Sequence, residues 1–238
     1  MAALVEAGVA DDEAGLGWRT GSRTDKGVSA LGNVVAFDSS IPAERVGDAL
    51  GGRVEGLWPR GAVAVPDGFE PRWAESRTYL YFLSWPAGVD QDAWGAALED
   101  ALALFVGRHD LGAFAKREEG RDPVRTVSAT SVGSGPAGPV VSVRGRSFLW
   151  QQVRRMVGAA VDVAGGVRGF DELAGRLVPG APPWGGTTMP AEGLVLWDVR
   201  YRDVTFPAGG LPGRAPETWA RARQAVAARA ALLDALAP

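Results

Sequence analysis

Cysteine is absent from the 238 residues, which excludes disulfides, thiolate zinc sites, iron–sulfur clusters and cysteine nucleophiles together. Histidine occurs once, at His109, and that removes most of the remaining metal and serine–histidine chemistry. Long apolar runs are missing too. The longest, from Met156 to Val167, is broken by Asp162 and several glycines and falls well short of the roughly 20 residues of a membrane span. The opening Met1-Ala2-Ala3-Leu4-Val5-Glu6 has no basic segment and leads into acidic residues, so it does not read as a secretory signal. No glycine-rich nucleotide fingerprint follows a strand, and no repeat of fixed period is visible. These absences lead to the expectation of a soluble, cytoplasmic protein that does not engage a membrane.

What is present is ordinary globular material, 46% hydrophobic and 22% charged, enough for one large domain or two small, intimate halves. The net charge of −3 hides a segregation. From Gly107 to Arg155 there are nine basic residues and four acidic ones, a local +5 against −8 for the remainder. Of the 25 cations, 23 are arginine, the residue that grips phosphate bidentately and stacks on bases, although a GC-rich genome would also favour arginine codons.

With 33 glycines and 16 prolines, elements should be short and turns frequent, as suits an α/β or α+β domain. Leu4 to Gly8 reads as a helix end, Asn33 to Phe37 and Gly61 to Val65 as strands, and Pro42 to Leu50 as a helix opened by proline. Thr78 to Trp85 alternates as a strand with Tyr79 and Tyr81 on one face. Asp92 to Val106 carries apolar residues at helical spacing. Val124 to Thr130 and Val140 to Val143 form a hairpin about a glycine-rich turn. Phe148 to Ala164 is a second core helix with Arg154 and Arg155 flanking its apolar stripe, Leu194 to Tyr201 a final strand, and Pro216 to Leu236 an alanine- and arginine-rich helix.

Five segments could carry chemistry. In the loop Gly21 to Ala30, Asp25 lies between Arg23 and Lys26, cations that favour a carboxylate serving as nucleophile or base; the same Asp-Lys-Gly text is also ordinary turn chemistry. Arg77 and Tyr79 share one strand face, suited to stacking a base and holding its phosphate, or simply to a half-exposed sheet. Around His109-Asp110 and Asp122-Pro123-Val124-Arg125-Thr126, a lone histidine reads as structural and the arginines are the better clue. Phe148 to Gly158 is a core helix with solvated arginines unless one of them turns into a cleft. Pro190 to Leu194 reads as a loop entering a strand.

Taken in order, these five segments resemble the TruA-type tRNA pseudouridine synthases: an R-T-D-x-G-V loop (Arg23 to Val28), R-x-Y-x-Y (Arg77 to Tyr81), the His109 and Asp122-to-Thr126 text, F-x-x-x-x-V-R-x-x-V-G (Phe148 to Gly158) and an A-E-G-L segment (Pro190 to Leu194). The resemblance runs from about Leu4 to Tyr201, and Lys26 and Ser29 make the loop look like the archaeal and eukaryotic branch. It implies a cofactor-free isomerase acting on uridines of the tRNA anticodon stem-loop. By that resemblance Asp25 matches the catalytic aspartate, which attacks C1′ or removes the C2′ proton. Tyr79 matches the tyrosine that stacks under the base and handles the C5 proton, and Arg154 the arginine paired with the aspartate. Arg23, Thr24, Lys26, Arg77, Tyr79 and Arg155 would then contact RNA, with no metal, and the target base must leave its stack to reach Asp25.

The implied fold is α+β, with two related halves of antiparallel sheet and helices around a central cleft. The expected layout is a first half over residues 1–72 carrying the Asp25 loop, a second over 73–205 carrying Tyr79 and Arg154, and a helical tail over 206–238. Family members are commonly homodimers. They usually begin with a strand and a D-G-x-x-[FY]-x-G-[FW]-Q-x-Q loop, and no such text precedes Arg23, so the first half is expected to lack its opening strand. A second reading follows from that expectation: a module that binds or folds tRNA without turning it over.

Overall fold

The computed structural model describes residues 1–207 and 215–235. Its contacts divide the chain into two compact units, one of Met1–Thr20, Val35–Pro71 and Asp203–Pro238, the other of Gly21–Val34 and Arg72–Arg202. The architecture is α+β, the class that the sequence implies.

The larger unit is built on a six-stranded sheet. Its strands are β2 (Ser29–Ala30), β4 (Ser76–Phe82), β5 (Gly107–Asp110), β6 (Val124–Ser134), β7 (Pro139–Gly145) and β8 (Leu194–Arg200), in the order β2-β8-β4-β7-β6-β5. All neighbours are antiparallel except β2 and β8, which run parallel with Ser29 opposite Val195. The expected hairpin is β6–β7, extended on both sides so that Ser134 faces Pro139 across the turn. In β4 the inward set is Arg77, Tyr79 and Tyr81, as alternation requires, and a register shift against β8 falls between Thr78 and Tyr79.

Helices α3 (Gln91–Ala103) and α4 (Gln152–Ala164) pack on each other, and their apolar side chains join the inward faces of the strands in one core. Asp90 caps α3 by accepting from the backbone N–H groups of Asp92 and Ala93, and Trp94, Leu98, Ala101 and Leu102 point inward. Burying each large side chain of this kind stabilises the fold by about 1.5–3 kcal/mol. The fourth helix begins at Gln152, later than the sequence suggests, because Gln151 adopts φ 61° and the Gln152 side chain accepts from the Leu149 backbone N–H. It is buried almost all round rather than along one stripe. A short α5 (Phe170–Ala174) follows.

The smaller unit contains α1 (Ala2–Glu6), α2 (Ala43–Leu50), a two-stranded ladder of β1 (Arg19–Thr20) with β3 (Val35–Ala36), and α6 (Ala215–Ala235). A modest core gathers Leu4, Val9, Leu16, Val46 and Leu50. Gly61 to Val65 forms no strand, contrary to the sequence expectation. Pro59 and Pro66 flank it, and proline supplies no ladder donor. In α6, Trp219 packs edge-on against Trp58, whose indole N–H donates to Thr218; the expected end of this helix, Leu236, lies outside the described residues.

Candidate active site

The loop that carries Asp25 is a tight turn pinned to the sheet. The Val28 N–H donates to the Asp25 carbonyl, closing a four-residue turn whose third residue, Gly27, sits at φ 94°. A type II turn needs that conformation, and glycine adopts it without strain. A Cβ at Gly27 would also press on Ala191 and Glu192, so this glycine meets both a conformational and a steric demand. Immediately downstream, β2 pairs with β8, and the Leu31 and Gly32 N–H groups donate to the Leu196 carbonyl.

Arg77 holds the loop from beneath. It is buried, and its guanidinium donates to the Ser22 hydroxyl (2.9 Å) and to the carbonyls of Gly21 (2.8 Å), Arg72 (3.0 Å) and Arg146. Burial pushes this guanidinium below its ordinary value, opposed by the nearby Tyr79 and Tyr201. The side chain does not line the pocket described next; it fixes the loop that does.

Asp25 opens into a pocket lined by Arg23, Thr24, Tyr79, Phe148, Trp150 and Arg154, among others. Its Oδ2 accepts from Nη1 of Arg154 at 2.9 Å, and its Oδ1 from the indole N–H of Trp150, also at 2.9 Å. Both members of the ion pair are largely covered, with side chains 15% and 23% exposed for Arg154 and Asp25, so solvent screens the pair less than a surface one. Arg154 is itself anchored, since its Nε donates to the Met189 carbonyl at 2.7 Å and the Met189 N–H returns a bond to the Arg154 carbonyl.

Tyr79 stands at the pocket wall with its ring edge-on to Phe148, centroids 5.3 Å apart. Burial pushes its phenol above the ordinary tyrosine value; the Arg77 charge opposes this and the Asp25 carboxylate adds to it. Tyr81, two residues on, donates to the Pro190 carbonyl at 2.8 Å, and its ring lies where a Cβ on Gly193 would clash. That contact gives the Pro190-to-Leu194 text a structural reason: a carbonyl for the hydroxyl and a bare backbone for the ring.

The other residues singled out in the sequence fall in different places. Arg23 is exposed and Thr24 half-buried, both on the pocket. Lys26 is exposed and Arg155 half-buried, bonded to Gln151, and neither lines it. The His109 ring lies 3.1 Å from the Val106 carbonyl, and Asp110 caps the Gly112 N–H. Two contributions escaped the sequence reading. Trp150 is one, which the sequence places inside the expected helix from Phe148 to Ala164 and the structure places just ahead of α4. The other is Asp162, buried in the apolar text of α4, which accepts from the Trp184 indole and from both the backbone N–H and hydroxyl of Thr187. With Gly158, where a Cβ would meet the Thr187 carbonyl at 2.1 Å, Asp162 lets the segment leading to Met189 lie close against α4.

The arrangement presents one carboxylate, paired with a fixed guanidinium, at the mouth of a pocket with aromatic walls. Such a site can hold a flat heterocycle and bring a carboxylate to its sugar. A family model described as tRNA pseudouridine synthase matches residues 101–202. The tRNA pseudouridine synthase A of Thermococcus kodakarensis is 40% identical over 197 residues, spanning 78% of this chain and 68% of the relative. The chain belongs to the tRNA pseudouridine synthase A family. Namesakes from Methanocorpusculum labreanum and Pyrococcus furiosus agree, at 37% over 209 residues and 34% over 216, spanning 71% and 74% of those proteins. As a pseudouridine synthase the chain is an isomerase. The stretch matched by the family model contains Phe148, Trp150 and Arg154, while Asp25 and Tyr79 precede it.

Proposed function

We propose that this synthase converts uridine to pseudouridine within the tRNA anticodon stem-loop, with Asp25 as the group that attacks C1′ or takes the C2′ proton. The C1′–N1 bond breaks, the uracil turns, C5 joins C1′, the C5 proton departs and N1 takes one up, so no co-reactant is consumed. The observation that carries this reading is the Asp25–Arg154 ion pair opening into the pocket of Tyr79. Arg154 orients the carboxylate, and the Tyr79 ring lies under the uracil with its hydroxyl toward the C5 proton. Arg23 and Thr24, on the pocket, meet the flipped nucleotide's backbone, and Lys26 and Arg155 extend that contact. The arginine-rich stretch 107–155 supplies further phosphate partners. The same reading carries a homodimer in the cytoplasm; sedimentation of the purified protein with and without tRNA checks the dimer.

The decisive experiment follows tritium release from a tRNA transcript labelled at uracil C5. Release by the wild type and none by Asp25→Ala, with tRNA still bound by both, is the expected result. Bound tRNA without release from either protein replaces this reading with that of a binding module. Affinity should also fall steeply as salt rises, and a flat response removes the arginines from the RNA surface.

A further inference from the structure

The two oxygens of Asp25 are held differently. Oδ2 faces Arg154, a side chain fixed in turn by the Met189 carbonyl, so this oxygen belongs to the ion pair. The guanidinium gives the carboxylate one hydrogen bond through Nη1 and not a two-point fork, so it leaves rotation about Cβ–Cγ open. That torsion is broad and nearly two-fold for an aspartate. The second anchor is the indole N–H of Trp150 on Oδ1.

Trp150 is an unusual residue to find there. The residue is 42% exposed, so core packing does not account for its place. Local contacts hold it instead. Its carbonyl accepts from the Lys116 N–H at 2.9 Å, and the Lys116 ammonium lies over the ring, 3.9 Å from the centroid. The next residue, Gln151, takes the left-handed conformation at φ 61°, which separates the Trp150 backbone from the direction of α4. A surface indole is thus clamped on its backbone and its ring face, with its single donor aimed at the carboxylate.

We infer that Trp150 is a positioning residue for Asp25: its N–H fixes the carboxylate plane and presents Oδ1, the oxygen not engaged by Arg154, to the sugar of the bound uridine. The inference rests on the reading of Asp25 as the reacting group. Because the indole acts through Asp25, its loss lowers turnover without loosening the RNA. A displacement of about 1 Å at a reacting atom can cost on the order of a hundredfold in rate.

The test compares Trp150→Phe, which keeps a ring and removes the N–H, with Trp150→His, which returns a ring N–H. Tritium release is measured against tRNA concentration, beside the wild type and Asp25→Ala. Expected for Trp150→Phe is a kcat about ten- to hundredfold lower, with KM within about twofold, tRNA affinity unchanged and melting unchanged. Trp150→His recovers most of that loss. Wild-type kcat in Trp150→Phe, a defect confined to KM, or no recovery in Trp150→His overturns the inference while leaving Asp25 in place. Equal tritium release by wild type and Asp25→Ala, or none by the wild type, overturns the underlying reading and this inference with it.

Discussion

Two arginines reach the same loop from the larger unit's sheet and helix, and they differ in what the guanidinium meets. Arg77, on β4, is buried and finds only neutral acceptors, three carbonyls and a hydroxyl. Arg154, on α4, meets one carbonyl and one carboxylate, and that carboxylate faces a pocket. The first region spends four of its five N–H donors on the fold and does not line the pocket. The second keeps a charged oxygen within reach. The same residue type serves folding where its partners are backbone and chemistry where its partner is an ionisable group at a cavity, so residue identity alone does not separate the two.

The comparison breaks most visibly at Arg154. Replacing it with alanine removes the donor on Oδ2 and the link to Met189, and turnover should fall about a hundred- to a thousandfold, the range seen when one preorganised donor is lost. Arg154→Lys restores a charge but lacks the planar fork that reaches Met189 and Asp25 together, so only part of the rate returns. Single-turnover tritium release at saturating tRNA measures both. If Arg154→Lys matches the wild type, the two-sided anchoring described for this side chain is irrelevant to the reaction.

Arg77 should fail in the opposite sense. Arg77→Met keeps much of the volume and leaves the carbonyls of Gly21, Arg72 and Arg146 without this donor, at about 1–3 kcal/mol for each buried acceptor that stays unpaired. A fall of several kcal/mol in unfolding free energy by urea titration is expected. The folded fraction should still bind tRNA, whereas a variant of wild-type stability would show that the loop is held without Arg77.

Much of this arrangement was legible in the sequence because its signals are local. The helical spacing of Trp94, Leu98 and Leu102, the glycine-rich turn between β6 and β7, and the Asp-Lys-Gly turn each declare themselves within a dozen residues. The Arg77–Tyr79 face emerges from strand alternation, yet alternation does not tell a buried donor from an exposed one, and the burial of Arg77 shows only in the structure. What stayed hidden depends on distant partners. The parallel pairing of two-residue β2 with β8 has no local pattern, Asp162 sits in apolar text because its partners Trp184 and Thr187 come later in the chain, and Trp150 acquires meaning only once Asp25 is beside it. The strand expected at Gly61 to Val65 failed for the converse reason: a suitable local run without a pairing partner among the described residues.

The smallest expected effect lies between the two arginines, at Tyr79, and pH is what reveals it. Its hydroxyl makes no hydrogen bond among the described residues, so Tyr79→Phe should change stability at neutral pH by no more than about 1 kcal/mol. Burial raises the folded-state value of this phenol above the ordinary tyrosine value of about 10, because the charged form loses hydration, and the Asp25 carboxylate adds to that. A group raised on folding contributes stability that is complete below its unfolded value and is lost as pH climbs through the folded one. Wild-type stability should therefore fall above about pH 10 more steeply than that of Tyr79→Phe. Tyr81, also raised by burial, leaves a residual slope in both proteins. Urea midpoints at pH 8, 10 and 11 measure the difference, and parallel slopes would show that the phenol beside Asp25 is as well hydrated in the fold as in the unfolded chain.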